Sequence, residues 1–269
     1  MSGFVPRNFI PTENGDIQWV ITSREAVANN QIIRIYSDNA TLRSQLPFII
    51  RAPKFLKYID SLDFSSLNIK SIRVDNATWF CAPSAIAPEK LGFLYLMVEA
   101  TDRRTNKPVP GVVFLRGGAV AVLIVVRINN KPYVILTKQI RVPTGGYVLE
   151  IPAGMMDAKA NFAGVAMNEI AEETGLNPPN LDQLVTLGNP ILPSPGGCDE
   201  EIQLFFWETT ISQEKAVELE HKIHGNKDEH EAIQLVFVPL EDFEKLLCST
   251  ISDVKAICAY MRARELIYK

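Results

Sequence analysis

GMMDAKANFAGVAMNEIAEETGL, residues 154–176, ends in three glutamates, Glu169, Glu172 and Glu173, with Gly175 close behind. At roughly 100° per residue, an α-helix places positions i, i+3 and i+4 within an arc of about 100°. Ala163, Ala166, Met167 and Ile170 fall in the neighbouring arc, which suits a core-facing stripe, whereas the same geometry sets Val165 among the carboxylates. Like charges at this spacing repel by a few tenths of a kcal/mol unless something cancels them. A hard divalent cation with oxygen ligands is the natural canceller. A solvated acidic helix face is the alternative that such a run permits by itself.

The flanks predict a helix with defined ends. Residues 146–152 (GYVLEIP) are expected to form a buried strand that stops at Pro152. Ala153 and Gly154 follow, and glycine lets the backbone turn tightly or approach an ion. Asn161 is positioned to cap the helix, and Gly175 to close it with a left-handed residue before apolar Leu176. The expected unit is strand, loop, acidic helix. Backbone carbonyls of the loop are available to join the carboxylates around a metal.

The segment resembles the box of the Nudix hydrolase superfamily, G-x(5)-E-x(7)-R-E-U-x-E-E-x-G-U, where U is bulky and aliphatic. Gly154, Glu169, Ile170, Glu172, Glu173, Gly175 and Leu176 stand at the required places. Ala160 replaces the first Glu and Asn168 replaces the Arg. The two missing residues carry opposite charges, and removing both partners of an ion pair is often nearly neutral. Because all three carboxylates of the helix are kept, loss of a bracing pair is preferred here to loss of catalysis. The resemblance extends to QIRVP at 139–143, LEIPAG at 149–154, PSPGGCDEE at 193–201 and GNKDEHEA at 225–232. These pieces resemble the ADP-sugar and ADP-ribose pyrophosphatase branch, and SPGGCDE is most similar to plant-type ADP-sugar diphosphatases.

Length and composition are consistent with this. A chain of 269 residues with 47% apolar content holds one large domain or two modest ones. The net charge of −4 disfavours nucleic-acid or anionic-membrane partners, which want a basic face. An acidic pocket also repels a diphosphate unless bound cations invert the local field, so the acidic helix implies metal dependence. The longest apolar run, Ala119 to Val126, is too short to span a bilayer, and MSGFVPRNF lacks a signal pattern. A soluble, intracellular protein is expected, cytoplasmic with an organelle left open. Cys81, Cys198, Cys248 and Cys258 lack CxxC spacing, so neither zinc nor a disulfide framework is expected. Cys198 is either a reactive thiol or a small packed one.

The first 111 residues are read as a β-rich domain. Strands are expected at 17–21, 32–36, 71–74 and 92–101, with a helix near 53–62 that starts at Pro53. Turn-rich 102–111 is a hairpin tip or a boundary. Residues 112–269 form the second domain. Its strands include GVVFL, AVAVLIVV and YVILTKQ, the last two joined at Asn129-Asn130, then 201–208 and 233–239. Helices are expected at 240–247 and 253–267. The fold class is α/β: a mixed sheet in an α/β/α sandwich, as the Nudix resemblance implies, preceded by the smaller β-rich domain.

The resemblance also assigns roles. Mg²⁺, or Mn²⁺, is the expected cofactor. Glu169 and Glu173 are its first ligands, Glu172 is a ligand or a brace, and Glu173 also counts as catalytic. The Ala153 carbonyl binds metal, as does Glu231, and Glu229 is the general base in the acidic loop. Arg141 matches an arginine that contacts substrate phosphate, and a charge-assisted fork suits that role. Glu200 matches an acidic residue that meets the sugar. Gly154, Gly196 and Gly197 let backbone approach the ligand. Arg103 and Arg104 lie in a turn that either reaches a partner subunit or is plain surface. His221, His224 and His230 are expected on solvated surface, and Trp19, Trp79 and Trp207 in packing. The expected activity is Mg²⁺-dependent hydrolysis of ADP-glucose or ADP-ribose to AMP and a sugar phosphate, by a homodimer. A Nudix hydrolase for a dinucleotide or coenzyme A, and a non-catalytic Nudix protein that binds nucleotide or RNA, are the rivals.

Overall fold

The computed structural model describes residues 8–21, 31–156, 161–177, 180–226 and 231–268. The chain divides into two compact units: Met1–Gly117 with Ser194–Glu200, and Gly118–Pro193 with Glu201–Lys269.

The first unit is a seven-stranded sheet. The strands β1 (Asn8–Pro11), β2 (Ile17–Ile21), β3 (Gln31–Tyr36), β4 (Leu67–Trp79), β5 (Leu91–Asp102) and β6 (Pro108–Val109) neighbour one another in chain order, and β7 (Val112–Leu115) also pairs with β5. Pairing of β3 with β4 is parallel and needs a crossover. Helices α1 (Ala40–Ile49) and α2 (Pro53–Ser61) supply it. Sequence reading placed α2 but missed α1. Its signals are modest: the Asn39 side chain accepts from Thr41 and Leu42, and Leu42, Leu46 and Ile49 are buried at helical spacing. Trp19, Ile35, Phe55, Ile59, Ile72 and Leu96 form the core of this unit. Val112–Leu115, assigned from sequence to the second domain, is a strand of the first sheet. The SPGGCDE segment also belongs to this unit: Phe114 N–H donates to Gly197 O, and Asp199 accepts from the Arg116 and Gly117 N–H groups at 2.7 and 3.1 Å.

The second unit is a mixed sheet between helices. Its spine is β8 (Ala119–Ile128) and β9 (Lys131–Arg141), a hairpin whose turn residues Asn129 and Asn130 both take positive φ, as a type I′ turn demands. Strand β13 (Ile202–Thr210) runs parallel to β8, with β12 (Val185–Thr186) outside it. Strand β15 (Ile233–Pro239) lies on β9, with β14 (Ile223–His224) outside it. Beyond the hairpin β8 and β9 part, and β10 (Gly146–Glu150) on β9 and β11 (Ala153–Met155) on β8 occupy the fork.

Because β8 is buried on both faces, its residues alternate between two cores. Ala121, Leu123 and Val125 pack with α5 (Leu240–Leu247) and α6 (Val254–Ile267). Val120, Val122, Ile124 and Val126 pack with α3 (Phe162–Glu169) and α4 (Gln213–His221). This is the α/β/α sandwich expected of the sequence. Helix α4 was not foreseen, although Ser212 caps it through Lys215 N–H and Ala216 and Leu219 are buried. Among the described residues no helix is long and apolar enough to cross a membrane.

Candidate active site

The corner from β11 into α3 builds the site. The Val122 N–H donates to Pro152 O and the Met156 N–H to Gly118 O. With the register Ala153↔Ala121, this leaves Ala153 at a non-hydrogen-bonded position of the ladder. Its N–H and C=O therefore both turn away from β8. The N–H donates to Glu173 Oε2 at 3.0 Å, which leaves the carbonyl on the same open edge. Gly154 is required by crowding: a Cβ there would stand 1.8 Å from the Glu169 carboxyl carbon.

Asn161 caps α3 through the Gly164 N–H at 2.6 Å. The expected regular helix does not continue to Gly175. Residues Ile170–Thr174 form a π turn, in which the Thr174 hydroxyl donates to Ile170 O, and Gly175 then closes the helix at φ 71°. A widened turn breaks the α-helical phase. Glu173 goes inside, 2% exposed, and Glu169 is half-buried. Glu172 stays exposed, and its carbonyl accepts the Gly225 N–H at 3.0 Å. Val165, which ideal geometry set among the carboxylates, is buried in the core, because the glutamate side of the helix is itself packed down.

Burial first, and then the charges of Glu169 and Glu231, push the Glu173 carboxyl up to about 8, against the Ala153 hydrogen bond and the Arg141 charge. Glu231 comes from beyond β14. Its carboxylate accepts the Asn226 N–H at 3.1 Å and its own N–H donates to Asn226 O at 3.1 Å. Glu229, assigned as base, lies outside the described residues, as do Asp228, His230 and Ala160.

Arg141 ends β9 on the same side of the sheet. Its Nε and Nη2 donate to Glu150 Oε2 at 3.1 and 2.7 Å. Burial pulls the guanidinium pKa down, but the Glu150 hydrogen bond and charge, with Glu173 and Glu231 beyond, leave it net raised. Sequence reading gave Glu150 no role, although a carboxylate inside a buried strand is a signal. It also missed Gln139, whose Oε1 is buried without a hydrogen-bond partner among the described residues, two residues before Arg141. Asp253 and Lys255, at the start of α6, were missed as well. Lys255 Nζ lies 3.8 Å from Glu150 Oε1 and 2.8 Å from Asp253 Oδ1.

Other assigned residues lie in the first unit. Glu200 pairs with Arg116 at 3.2 Å. Gly196 and Gly197 lack positive φ, and among the described residues nothing stands within 4 Å of a Cβ at either, so packing of those residues does not demand glycine there. Arg103 Nε donates to Phe64 O and Leu67 O at the start of β4, and Arg104 pairs with Asp102 within its own turn. Cys198 is half-buried, and burial pushes its thiol up, which argues against reactivity. The histidines correct one expectation. His224 is buried and its ring nitrogen meets Leu219 O at 2.8 Å, because β14 draws it under α4. Trp19 and Trp207 are buried as packing residues, and Trp79 donates to Gln45 at 2.8 Å.

The donor set fits a hard cation. It is all oxygen, and it includes a buried carboxyl opposed by two others, a strand-edge carbonyl turned away from β8, and a glycine that makes room for a carboxylate. Among the described residues no three acidic, histidine or cysteine side chains form a closed cage by themselves.

Residues 117–259 match the NUDIX domain. The chain belongs to the Nudix hydrolase family. Enzymes of this family generally use a divalent metal. Nudix hydrolase 14, chloroplastic, of Arabidopsis thaliana is 36% identical over 185 residues, covering 66% of this chain and 58% of that protein. The match thus spans under two thirds of that relative's length. The ADP-ribose pyrophosphatase of Bacillus subtilis is 31% identical over 173 residues, covering 63% of this chain and 85% of that protein. A crystal structure of an ADP compounds hydrolase superposes with a TM-score of 0.48 at 15% identity, over 75% of this chain and 96% of that one.

Proposed function

We propose that this Nudix hydrolase cleaves the diphosphate of ADP-sugars, ADP-glucose or ADP-ribose, to AMP and a sugar phosphate, with Mg²⁺ as cofactor. The observation that carries the reading is buried Glu173, tied to the Ala153 N–H at 3.0 Å beside Gly154 and Glu169 and within electrostatic reach of Glu231 and Arg141. The carboxylates alone would repel a diphosphate. A bound divalent ion supplies the positive field that admits it and lowers the pKa of a water. Glu169, Glu173, Glu231 and the Ala153 carbonyl would hold that ion, with exposed Glu172 at its rim. Arg141 would take a non-bridging phosphate oxygen with the edge of its guanidinium that Glu150 leaves open. Water then adds to phosphorus, the bridging P–O bond breaks, and the water's proton passes to Glu229. The relative in Bacillus subtilis is named an ADP-ribose pyrophosphatase, which supports this substrate class. A homodimer belongs to the same reading and is checked by light scattering. The Arabidopsis relative's description as chloroplastic is reason to test an organelle beside the cytoplasm with a fluorescent fusion.

The experiment is AMP release from a panel of ADP-sugars, dinucleotides and coenzyme A, with Mg²⁺ and with EDTA. Turnover of an ADP-sugar that EDTA abolishes is expected. Glu169→Gln and Glu173→Gln should each lower kcat by about 10²-fold or more while the proteins stay folded. Equal rates in wild type and both variants would remove the enzymatic reading and leave a nucleotide-binding protein.

A further inference from the structure

We propose that Lys255 and Asp253 are positioning residues for Arg141, acting through Glu150. This rests on reading Arg141 as the group that binds a substrate phosphate.

The two oxygens of Glu150 are divided between two cations. Oε2 takes Nε and Nη2 of Arg141 at 3.1 and 2.7 Å, and Oε1 faces Lys255 Nζ at 3.8 Å. Lys255 is held in turn by Asp253 Oδ1 at 2.8 Å. Asp253 anchors the far end twice. Its Oδ1 accepts the Lys255 N–H at 3.0 Å and so caps α6, and its Oδ2 accepts the N–H of Ile151, the residue after Glu150, at 3.1 Å. One carboxylate therefore ties the helix start to the backbone beside Glu150.

Exposure grades along the chain of contacts. The side chains of Asp253, Glu150 and Lys255 are 4%, 13% and 14% exposed, and that of Arg141 is 38%. The inner members are fixed, and only the guanidinium opens outward. The quartet holds two cations and two carboxylates and is neutral as a set. Four shielded charges are a poor way to stabilise a corner, since apolar replacements commonly do as well. They are a good way to fix a fork. Without Lys255 the whole Glu150 charge would fall on Arg141, and Oε1 of Glu150 would lose the cation it faces at 3.8 Å. The guanidinium would be both more neutralised and less fixed when a phosphate arrives.

The test uses the full chain with Mg²⁺, reading AMP release from ADP-ribose. Lys255→Met should raise KM about tenfold with kcat changed less than about twofold, the pattern of lost ground-state binding. Lys255→Arg should restore KM to within about threefold. Asp253→Asn keeps the oxygen that caps α6 but sets an NH2 donor against the Ile151 N–H, so it removes both the charge and that tie, and should raise KM while lowering the melting temperature. Arg141→Ala should raise KM by itself, and adding Lys255→Met to it should change nothing more. Wild-type KM in Lys255→Met beside an impaired Arg141→Ala overturns the positioning role and leaves the phosphate role of Arg141 standing. So does a loss of melting temperature and kcat at constant KM, or multiplication of the two effects in the double variant. Wild-type KM in Arg141→Ala removes the parent reading and this proposal with it.

Discussion

Glu173 is a carboxyl in the wrong place for a charge, and the consequences can be measured. Its folded pKa is about 8 against a usual value of 4.5, so without metal the folded state keeps a proton that the unfolded state has lost between those values. The stability from this group is complete below pH 4.5 and is lost as pH rises through 8. Metal-free protein should therefore melt at a lower temperature at pH 8.5 than at pH 6, and Glu173→Gln should flatten that part of the profile in scanning calorimetry. A slope unchanged by Glu173→Gln would mean that another group titrates. At Gly154 the argument is steric. A Cβ there meets the Glu169 carboxylate, so Gly154→Ala should lower kcat by about 10²-fold while the urea midpoint moves little. Gly197 has open space where a Cβ would go. Gly197→Ala should leave the melting temperature unchanged, and a rise in KM for ADP-ribose would mark close approach of ligand to that backbone.

At the scale of elements, the acidic helix was the most legible part of the chain and the least regular. Its cap at Asn161 and its stop at Gly175 stand where local chemistry put them. The π turn between them left no comparable signal, because one extra residue in a turn depends on what the helix is packed against. Thr174 stabilises that turn, donating to Ile170 O and accepting the Leu176 N–H at 3.1 Å. Thr174→Val should cost about 1–2 kcal/mol in urea unfolding, from loss of a buried hydroxyl's bonds. Strand β8 was equally legible, as a run apolar on both faces. Helices α1 and α4 were not, because short amphipathic helices with few buried residues give weak periodicity.

At the scale of the whole molecule, the prediction concerns linkage. A metal held as proposed by Glu169, Glu173 and Glu231 would bind the folded chain and not the unfolded one. Millimolar Mg²⁺ should therefore raise the melting temperature, and more so at pH 8.5, where it no longer competes with the proton on Glu173. Glu169→Gln should reduce the shift, and no shift in wild type would argue that the site is not built for that ion. The division into units also shows what order along the chain conceals. SPGGCDE sits within the second half of the sequence yet is held by Asp199 on backbone of the first unit.

The sequence by itself determined the layered α/β class, the strand–loop–helix unit, both ends of the acidic helix, and the clustering of three carboxylates on it. These follow from periodicity, capping and spacing, which are properties of neighbours in the chain. Only the tertiary structure decided that Glu173 is buried while Glu172 is not. It also decided that Arg141 is held by Glu150, that Glu150 is shared with Lys255, and that Asp253 fastens the arrangement 102 residues away from Ile151. Contacts of that kind depend on which buried groups meet after the sheet and helices have packed, and short-range patterns carry no record of such meetings.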